Sequence, residues 1–294
     1  MLEPTDSQPG NRFFAHRRRC TCGKDIDAAR DACPHCGRRY DDPWTRRFAR
    51  VCPLGTYREL ILFLFGLVGF QLLGFLLSVT AQAFAQEVLV GAGLTGGSLQ
   101  QALIDYTHSA AYSSFVNYGA YVLFFVAVLI VIWPDLAYIA KKQFSQWQNY
   151  LIGGGMGIVL IVVSILWNLI VLSLGGGTSD NQSSVVNIVT YSPILGIVIT
   201  GIIGPICEEF AYRVGLFNLG LRINRLVAYL FATVVFGLIH MHDFTSVNEW
   251  LNFPSYLIAG GILAFTYDRF GLSASITAHV ANNLYAVILT LIAQ

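Results

Sequence analysis

Long apolar segments with almost no charges constrain this chain more than any other feature of its sequence. Hydrophobic residues make up 55% of its 294 residues and charged residues only 12%, against roughly a quarter in soluble domains. A helix of about 20 apolar residues spans the hydrocarbon core of a bilayer. The sequence therefore predicts an all-α polytopic membrane protein with about seven transmembrane helices, or eight as the alternative. The predicted segments are 60–85, 115–139, 150–174, 188–215, 225–241, 250–267 and 271–292, with loops at 87–112 and 175–184.

Lysine and arginine residues are distributed asymmetrically along the chain. Of the 18, 11 lie within residues 1–51, and six of the other seven fall on the same side if the helices alternate in direction. The opposite loops 87–112, 175–186 and 242–249 contain none. Cytoplasmic loops carry the excess of positive charge, so the N terminus is expected in the cytoplasm and the C terminus outside. No apolar core follows Met1, and a signal peptide is not expected.

Four cysteines lie close together ahead of the apolar body. Cys20 and Cys22 form Cys-x-Cys, and after ten residues Cys33 and Cys36 form Cys-Pro-x-Cys-Gly. Four thiolates on tight turns make a structural zinc site, and the segment resembles a zinc ribbon, although the first pair departs from the commoner Cys-x-x-Cys. His16 or His35 is an alternative ligand, and two disulfides are the alternative to a metal site. Cytoplasmic thiols are kept reduced, which favours zinc.

This cysteine segment also sets the expected division of the chain. The predicted domains are a zinc ribbon at 15–45, a basic linker at 46–58 and a transmembrane body at 59–294. The basic residues of the ribbon could bind a partner protein or anionic lipid, and no nucleic-acid partner is expected.

The sequence CEEFAYR at 207–213 places charges inside an apolar segment. An ionisable cluster within a membrane indicates a functional site. Glu209 and Arg213 are four residues apart, which suits an ion pair on one helix face. Glu208 points about 100° away and lacks such a partner, so it should stay protonated or find a base. Cys207 lacks a partner of its own, and we interpret it as an apolar filler.

Two histidines further along the chain could serve Glu208. His240 lies near the end of the fifth apolar segment, and His279 lies early in the seventh, with Asn283 one turn later on the same face. At about 1.5 Å of helical rise per residue, Glu208 and the two histidines fall about 12–24 Å from the cytoplasmic turns. We therefore expect these groups to converge near the middle of the membrane on a cavity that admits water.

The ordered motifs Glu-Glu-x-x-x-Arg, Phe-x-x-x-His and His-x-x-x-Asn resemble those of the CAAX protease and bacteriocin-processing family, also called the Abi family. The resemblance covers about residues 190–292, which we expect to form the catalytic core. It implies a bilayer-embedded endopeptidase that cleaves a membrane-associated protein or peptide. A ribbon fused to such a body suggests a bacterial cell membrane.

The resemblance also implies roles for individual residues. Glu208 and His240 would activate a water molecule, and His279 and Asn283 would polarise the carbonyl and stabilise its oxyanion. Glu209 is counted with the catalytic residues, and Arg213 and Phe236 are supporting residues. No cofactor is expected in the catalytic site.

The same residues also fit three other functions. Glu208 and the two histidines could bind a divalent metal in a metal-dependent version of the protease. The polar cluster could instead be structural, in a non-enzymatic scaffold or partner-binding protein; a transporter is a third alternative. We interpret Asn168, isolated in an apolar helix, as such an interhelical contact.

Overall fold

The computed structural model describes residues 17–293, and the chain there is almost entirely helical. A short N-terminal part holds two antiparallel strands, β1 (Arg17–Arg19) and β2 (Asp25–Asp27), and helix α1 (Pro43–Arg47). Nine more helices follow within the described residues. They are α2 (Thr56–Gly91), α3 (Gly96–Thr107), α4 (Ala110–Phe144), α5 (Trp147–Ser173), α6 (Asp180–Tyr191), α7 (Pro193–Ile223), α8 (Arg225–Leu238), α9 (Val247–Phe270) and α10 (Leu272–Ile292). The predicted all-α fold is confirmed.

Five of these helices, α2, α4, α5, α7 and α10, are long and apolar enough to cross a membrane. Helix α8 is shorter and apolar, and α9 has 24 residues. Together these seven helices correspond to the seven apolar segments that the sequence predicts. The chain is therefore a polytopic membrane protein.

The prediction of one continuous helix over 188–215 is wrong at its start. Helix α6 ends at Tyr191 and α7 begins at Pro193. Proline lacks a backbone N–H and disfavours helical geometry in the residue before it, and Ser192 accordingly adopts φ −138° and ψ 76°. Helices α3 and α6 also occupy much of the segments predicted as loops.

The ends of several helices meet the N-terminal part on one side of the bundle. Arg58 at the start of α2 pairs with Asp135 of α4, and Lys142 at the end of α4 binds Asp31 at 2.8 Å. Arg222 at the end of α7 binds Asp27 at 2.9 Å. We call this side the ribbon face. The side with α3, α6 and the loop 174–179 is the distal face.

Helices α5 and α10 are in close contact at glycines near the ribbon face. A Cβ atom on Gly153 would lie 2.5 Å from the Ala274 carbonyl oxygen, and one on Gly157 would lie 2.7 Å from Ala281 Cβ. A side chain at either position would overlap α10, so these two glycines allow the close contact between the helices. Gly154 and Gly155 have open space instead.

Candidate active site

Glu208 and Glu209 lie where helix α7 changes its hydrogen-bond pattern. Residues Gly204–Glu208 are α-helical, and Glu209–Phe217 form a wider π-helical stretch. Such stretches are rare and occur frequently at functional sites. Every residue of Glu209–Phe217 is buried, whereas Glu208 is only partly buried. The two adjacent glutamates therefore have different surroundings.

Glu209 is held by three side chains in a fully buried position. Its Oε2 lies 3.5 Å from Arg213 Nε and accepts a hydrogen bond from Ser275 Oγ, and its Oε1 lies 3.0 Å from His279 Nδ1. The Arg213 guanidinium also lies over the Phe236 ring, 4.8 Å from its centroid. The expected Glu209–Arg213 ion pair is thus present, and Glu209 also fixes the orientation of the His279 ring.

Glu208 contacts a tyrosine and the other side of the same histidine. Tyr121 on α4 donates its hydroxyl to Glu208 Oε1 at 2.7 Å. Glu208 Oε2 lies 3.7 Å from His279 Nε2. Because Glu209 is on Nδ1, His279 lies between two carboxylates and presents Nε2 to Glu208.

His240 follows the end of α8, and its ring is oriented by a backbone carbonyl and by two aromatic side chains. Its Nδ1 lies 2.7 Å from the Phe236 carbonyl oxygen. A carbonyl only accepts hydrogen bonds, so Nδ1 carries the proton and Nε2 of the neutral ring is an acceptor. The ring stacks on Tyr256 at 4.7 Å and packs against Phe236 at 4.8 Å.

A cavity of about 570 Å³ brings most of the predicted site residues together. Glu208, Phe236, His240, His279 and Asn283 all line it. Asn283 Nδ2 donates to the Thr200 carbonyl at 3.3 Å and keeps a second N–H. Glu209 and Arg213 lie behind this wall, so they can act on a bound molecule only through their neighbours.

Sequence reasoning missed two residues and misread a third. Ser275 is four residues before His279 on the same helix face, a spacing that could have revealed it. Tyr121 lies in an apolar helix with no motif around it, so the sequence offered no signal. Asn168 is exposed, lines the cavity and makes no hydrogen bond within residues 17–293. Cys207 is fully buried and lies outside the cavity wall, as a filler would.

The four N-terminal cysteines form a second, separate site. The Sγ atoms of Cys20, Cys22, Cys33 and Cys36 all lie within 4.8 Å of one another. Tetrahedral bonds of about 2.3 Å to one ion separate the sulfurs by about 3.8 Å, and two of the pairs are 3.5 and 3.7 Å apart. The cluster can therefore hold a metal ion. His35 is exposed and does not join it, and His16 lies outside the described residues.

The cysteine thiols of this cluster differ in acidity. A hydrogen bond from the Cys22 backbone lowers the pKa of Cys20 to about 5. A hydrogen bond from the Arg38 backbone lowers the pKa of Cys36, but hydrogen bonds to the other three cysteines and desolvation together outweigh it and raise the pKa to about 12. Neighbouring thiolates repel one another, so all four can ionise together only around a cation.

Comparison with known proteins gives the same family as the motifs. Residues 190–285 match the family described as "Type II CAAX prenyl endopeptidase Rce1-like". The chain is 27% identical over 180 residues to the "Putative membrane peptidase YdiL" of Bacillus subtilis, covering 58% of this chain and 70% of that protein. No solved protein structure matches the chain significantly.

Two other bacterial relatives differ in how much of their length is matched. The "UPF0177 protein YxdF" of Lactococcus lactis is 30% identical over 171 residues, which is 55% of this chain and 89% of that protein. An uncharacterized protein of Mycoplasma capricolum is 30% identical over 163 residues, 51% of this chain, and the chain spans 47% of its length. The chain thus belongs to the CAAX protease and bacteriocin-processing family and carries the Rce1-like domain of that family over residues 190–285.

Proposed function

We propose that the protein is a membrane-embedded endopeptidase that hydrolyses a peptide bond of a membrane-associated protein or peptide. The observation that carries the proposal is one cavity lined by Glu208, His240, His279 and Asn283 inside a helical membrane bundle. The family and the membrane-peptidase name of one relative support it. Hydrolysis of an amide by water requires a general base and donors that stabilise the oxyanion. A carboxylate can be the base, and imidazole and amide groups can be the donors.

In this mechanism Glu208 is the general base. A water molecule lies between the Glu208 carboxylate and His240 Nε2, and its oxygen attacks the scissile carbonyl carbon as its proton passes to Glu208. The Tyr121 hydroxyl, 2.7 Å from Oε1, orients the carboxylate. The C–N bond then breaks, and the proton on Glu208 passes to the leaving nitrogen. The products are a carboxylic acid and an amine, with one water consumed.

The developing oxyanion is stabilised from the α10 side of the cavity. His279 in its imidazolium form presents an Nε2–H, and Asn283 has an amide N–H not used by Thr200. Removing one such donor costs roughly 3–4 kcal/mol in soluble enzymes. Glu209 is then a positioning residue because it binds His279 Nδ1 at 3.0 Å and does not face the cavity.

We further propose that the cysteine cluster binds zinc and that this zinc is structural. Four thiolates at tetrahedral spacing are typical of structural zinc sites, and a segment this small cannot bury a sufficient core without a metal. The proposed domains are the ribbon at 15–45, the basic linker at 46–58 and the body at 59–294, with 190–292 as the catalytic core. The metal cluster and the family match at 190–285 support this division.

The proposed orientation puts the ribbon in the cytoplasm of a bacterium. Positive residues Arg58, Lys142 and Arg222 lie on the ribbon face and bind acidic partners there. Cytoplasmic ends of membrane helices carry such an excess. The relatives from Bacillus, Lactococcus and Mycoplasma support a bacterial membrane.

Glu208→Gln tests the proposal against a structural role for the same cluster. The amide keeps the size of the side chain and its hydrogen bonds but cannot take a proton from water. We expect a membrane-associated peptide to accumulate uncut in cells carrying Glu208→Gln, as measured by quantitative proteomics. Glu87→Gln, at an exposed glutamate on α2, is the matched control and should behave as wild type. Identical peptide patterns in the Glu208→Gln and Glu87→Gln cells would contradict the assignment of the protein as an endopeptidase.

A further inference from the structure

The cavity around Glu208 extends toward the distal face. Besides the site residues, its wall includes Thr178, Ser179, Asn181 and Gln182, which belong to the loop after α5 and the start of α6. Both elements lie on the side of the bundle opposite the ribbon. A continuous space therefore joins the carboxylate of Glu208 to the distal end of the molecule.

Toward the ribbon face the same region is closed by packed side chains. All residues of Glu209–Phe217 are buried, and Leu221 and Phe217 are completely so. Asn218 and Tyr267 extend this buried layer, and the Tyr267 hydroxyl donates to Asn218 Oδ1 at 3.1 Å. The Asn218 amide also donates to the Cys52 carbonyl at 2.9 Å, so the buried layer is bonded to the segment 46–58. A peptide has no route to Glu208 from this side without unfolding the packed layer.

Residues of helices α5 and α10 line the distal half of the cavity. Near the ribbon face they pack closely at Gly153 and Gly157. In their distal halves the cavity wall instead includes Asn168 on α5 and Tyr285 and Leu289 on α10, and all three residues are exposed. We call the seam marked by these exposed lining residues the α5–α10 cleft. Both helices are long and apolar enough to cross a membrane, so this seam would border lipid.

The chemistry of the lining indicates what the cleft accepts. Among the lining residues within 17–293, Glu208 is the only one of the types Asp, Glu, Lys and Arg. Apart from His240 and His279, the other polar lining residues carry amides or hydroxyls. The amides are Asn117, Asn168, Asn181, Gln182, Asn252, Asn282 and Asn283. Amides both donate and accept, so they pair with the N–H and C=O groups of an extended peptide. Backbone groups leaving a helix within a membrane need such partners.

We propose that the substrate is a membrane-inserted peptide that enters through the α5–α10 cleft and is cut on the distal side of the bilayer, within an uncharged stretch. This inference rests on the proposed endopeptidase function and adds a direction and a substrate class to it. The cavity reaches the distal residues Thr178 and Gln182, so the cut lies on the side of the bundle opposite the ribbon.

Cysteine labelling with a membrane-impermeant maleimide tests the direction of access. We expect Asn168→Cys to be labelled from the distal face and Asp41→Cys, an exposed ribbon position, from the opposite face only. Intact cells expose one face of the membrane to the maleimide, and everted vesicles expose the other. Labelling of the wild-type protein measures the background from its native cysteines. Leu166→Cys is the matched control, exposed on α5 but outside the cavity wall, and should stay unlabelled from both faces. Labelling of Asn168→Cys from the Asp41→Cys face, or from neither face, would overturn the proposal.

Blocking the cleft tests its use by substrate. Asn168→Trp fills the cleft and should slow cleavage of the peptide that accumulates in Glu208→Gln cells by a factor of ten or more, with an unchanged melting temperature. Leu166→Trp should cleave at the wild-type rate. Equal rates for the two variants, or a cut site mapped to the ribbon side, would reject the cleft. If the Glu208→Gln protein still cleaves the peptide, the endopeptidase proposal fails. The labelling experiment tests the access route without using cleavage, so the two proposals can fail independently.

Discussion

Adjacent glutamates on α7 differ because one borders a cavity and the other is sealed behind it. The i, i+4 spacing predicted the Glu209–Arg213 pair, and the motif order predicted which groups meet around Glu208. What the spacing could not predict is that His279 lies between both carboxylates, since this depends on how α10 packs against α7. The roles of the two glutamates can therefore be separated by experiment.

Glu209→Gln should destabilise the fold more than Glu208→Gln does. Both Glu209 and Arg213 are fully buried, and loss of one partner leaves an uncompensated charge that costs about 3–5 kcal/mol. Thermal unfolding in detergent measures the difference. The double variant Glu209→Gln with Arg213→Met should recover stability without recovering cleavage. A Glu209→Gln protein as stable as wild type would contradict this division.

Tyr121→Phe should slow cleavage by a factor of about 10 to 100. It removes one hydrogen bond to a charged group, which contributes about 1.5–3 kcal/mol, and leaves the ring in place. Tyr118→Phe on the same helix is the control because its hydroxyl donates to the Ile188 carbonyl at 3.0 Å and not to Glu208. Initial rates in proteoliposomes decide the comparison. Equal rates for both variants would remove Tyr121 from the site.

Apolar runs predict a helix correctly where one run forms one continuous helix, and they fail where a run is interrupted. The break at Ser192–Pro193 carries an explicit proline signal within the predicted segment 188–215, and reading it would have corrected the start of α7. Helices α3 and α6 have too little apolar character to register as membrane segments. The π-helical stretch Glu209–Phe217 carries no pattern in its residues that distinguishes it from an α-helix.

Gly153→Ala should destabilise the protein, whereas Gly154→Ala should not. The new Cβ at position 153 would lie 2.5 Å from a carbonyl oxygen of α10, and at position 154 it meets no atom within 4 Å. Overpacking of this kind costs about 1–3 kcal/mol, while alanine for glycine in a free helix position gains up to about 1 kcal/mol. The melting temperatures of the two variants should move in opposite directions. Equal shifts would contradict the close packing of α5 on α10.

The whole molecule is joined through buried charges between the ribbon and the helices. Arg222 on α7 bridges Glu59 of α2 at 2.7 Å and Asp27 of the ribbon at 2.9 Å, and Arg30 of the ribbon binds Asp135 of α4 at 2.9 Å. Sequence patterns indicated a metal ribbon and a membrane body but not their contact. Long-range ion pairs lack a spacing rule, so they were beyond prediction from one sequence.

Removal of the metal should therefore lower the stability of the membrane body as well as the ribbon. We expect one zinc per chain by elemental analysis, its loss on chelation, and a lower melting temperature of the body because Arg222 and Asp135 lose partners. Cys33→Ser should lose the metal, and His35→Ala should keep it. A body that melts unchanged after the zinc is gone would show that the ribbon docks without stabilising it.

The most direct test of the central claim is the cleavage rate of purified Glu208→Gln protein in liposomes, with the peptide that accumulates in cells as substrate. Loss of a general base lowers rates by roughly 10² to 10⁴, and we predict a fall in that range at an unchanged melting temperature. A rate within a factor of three of wild type would contradict the assignment of Glu208 as the base.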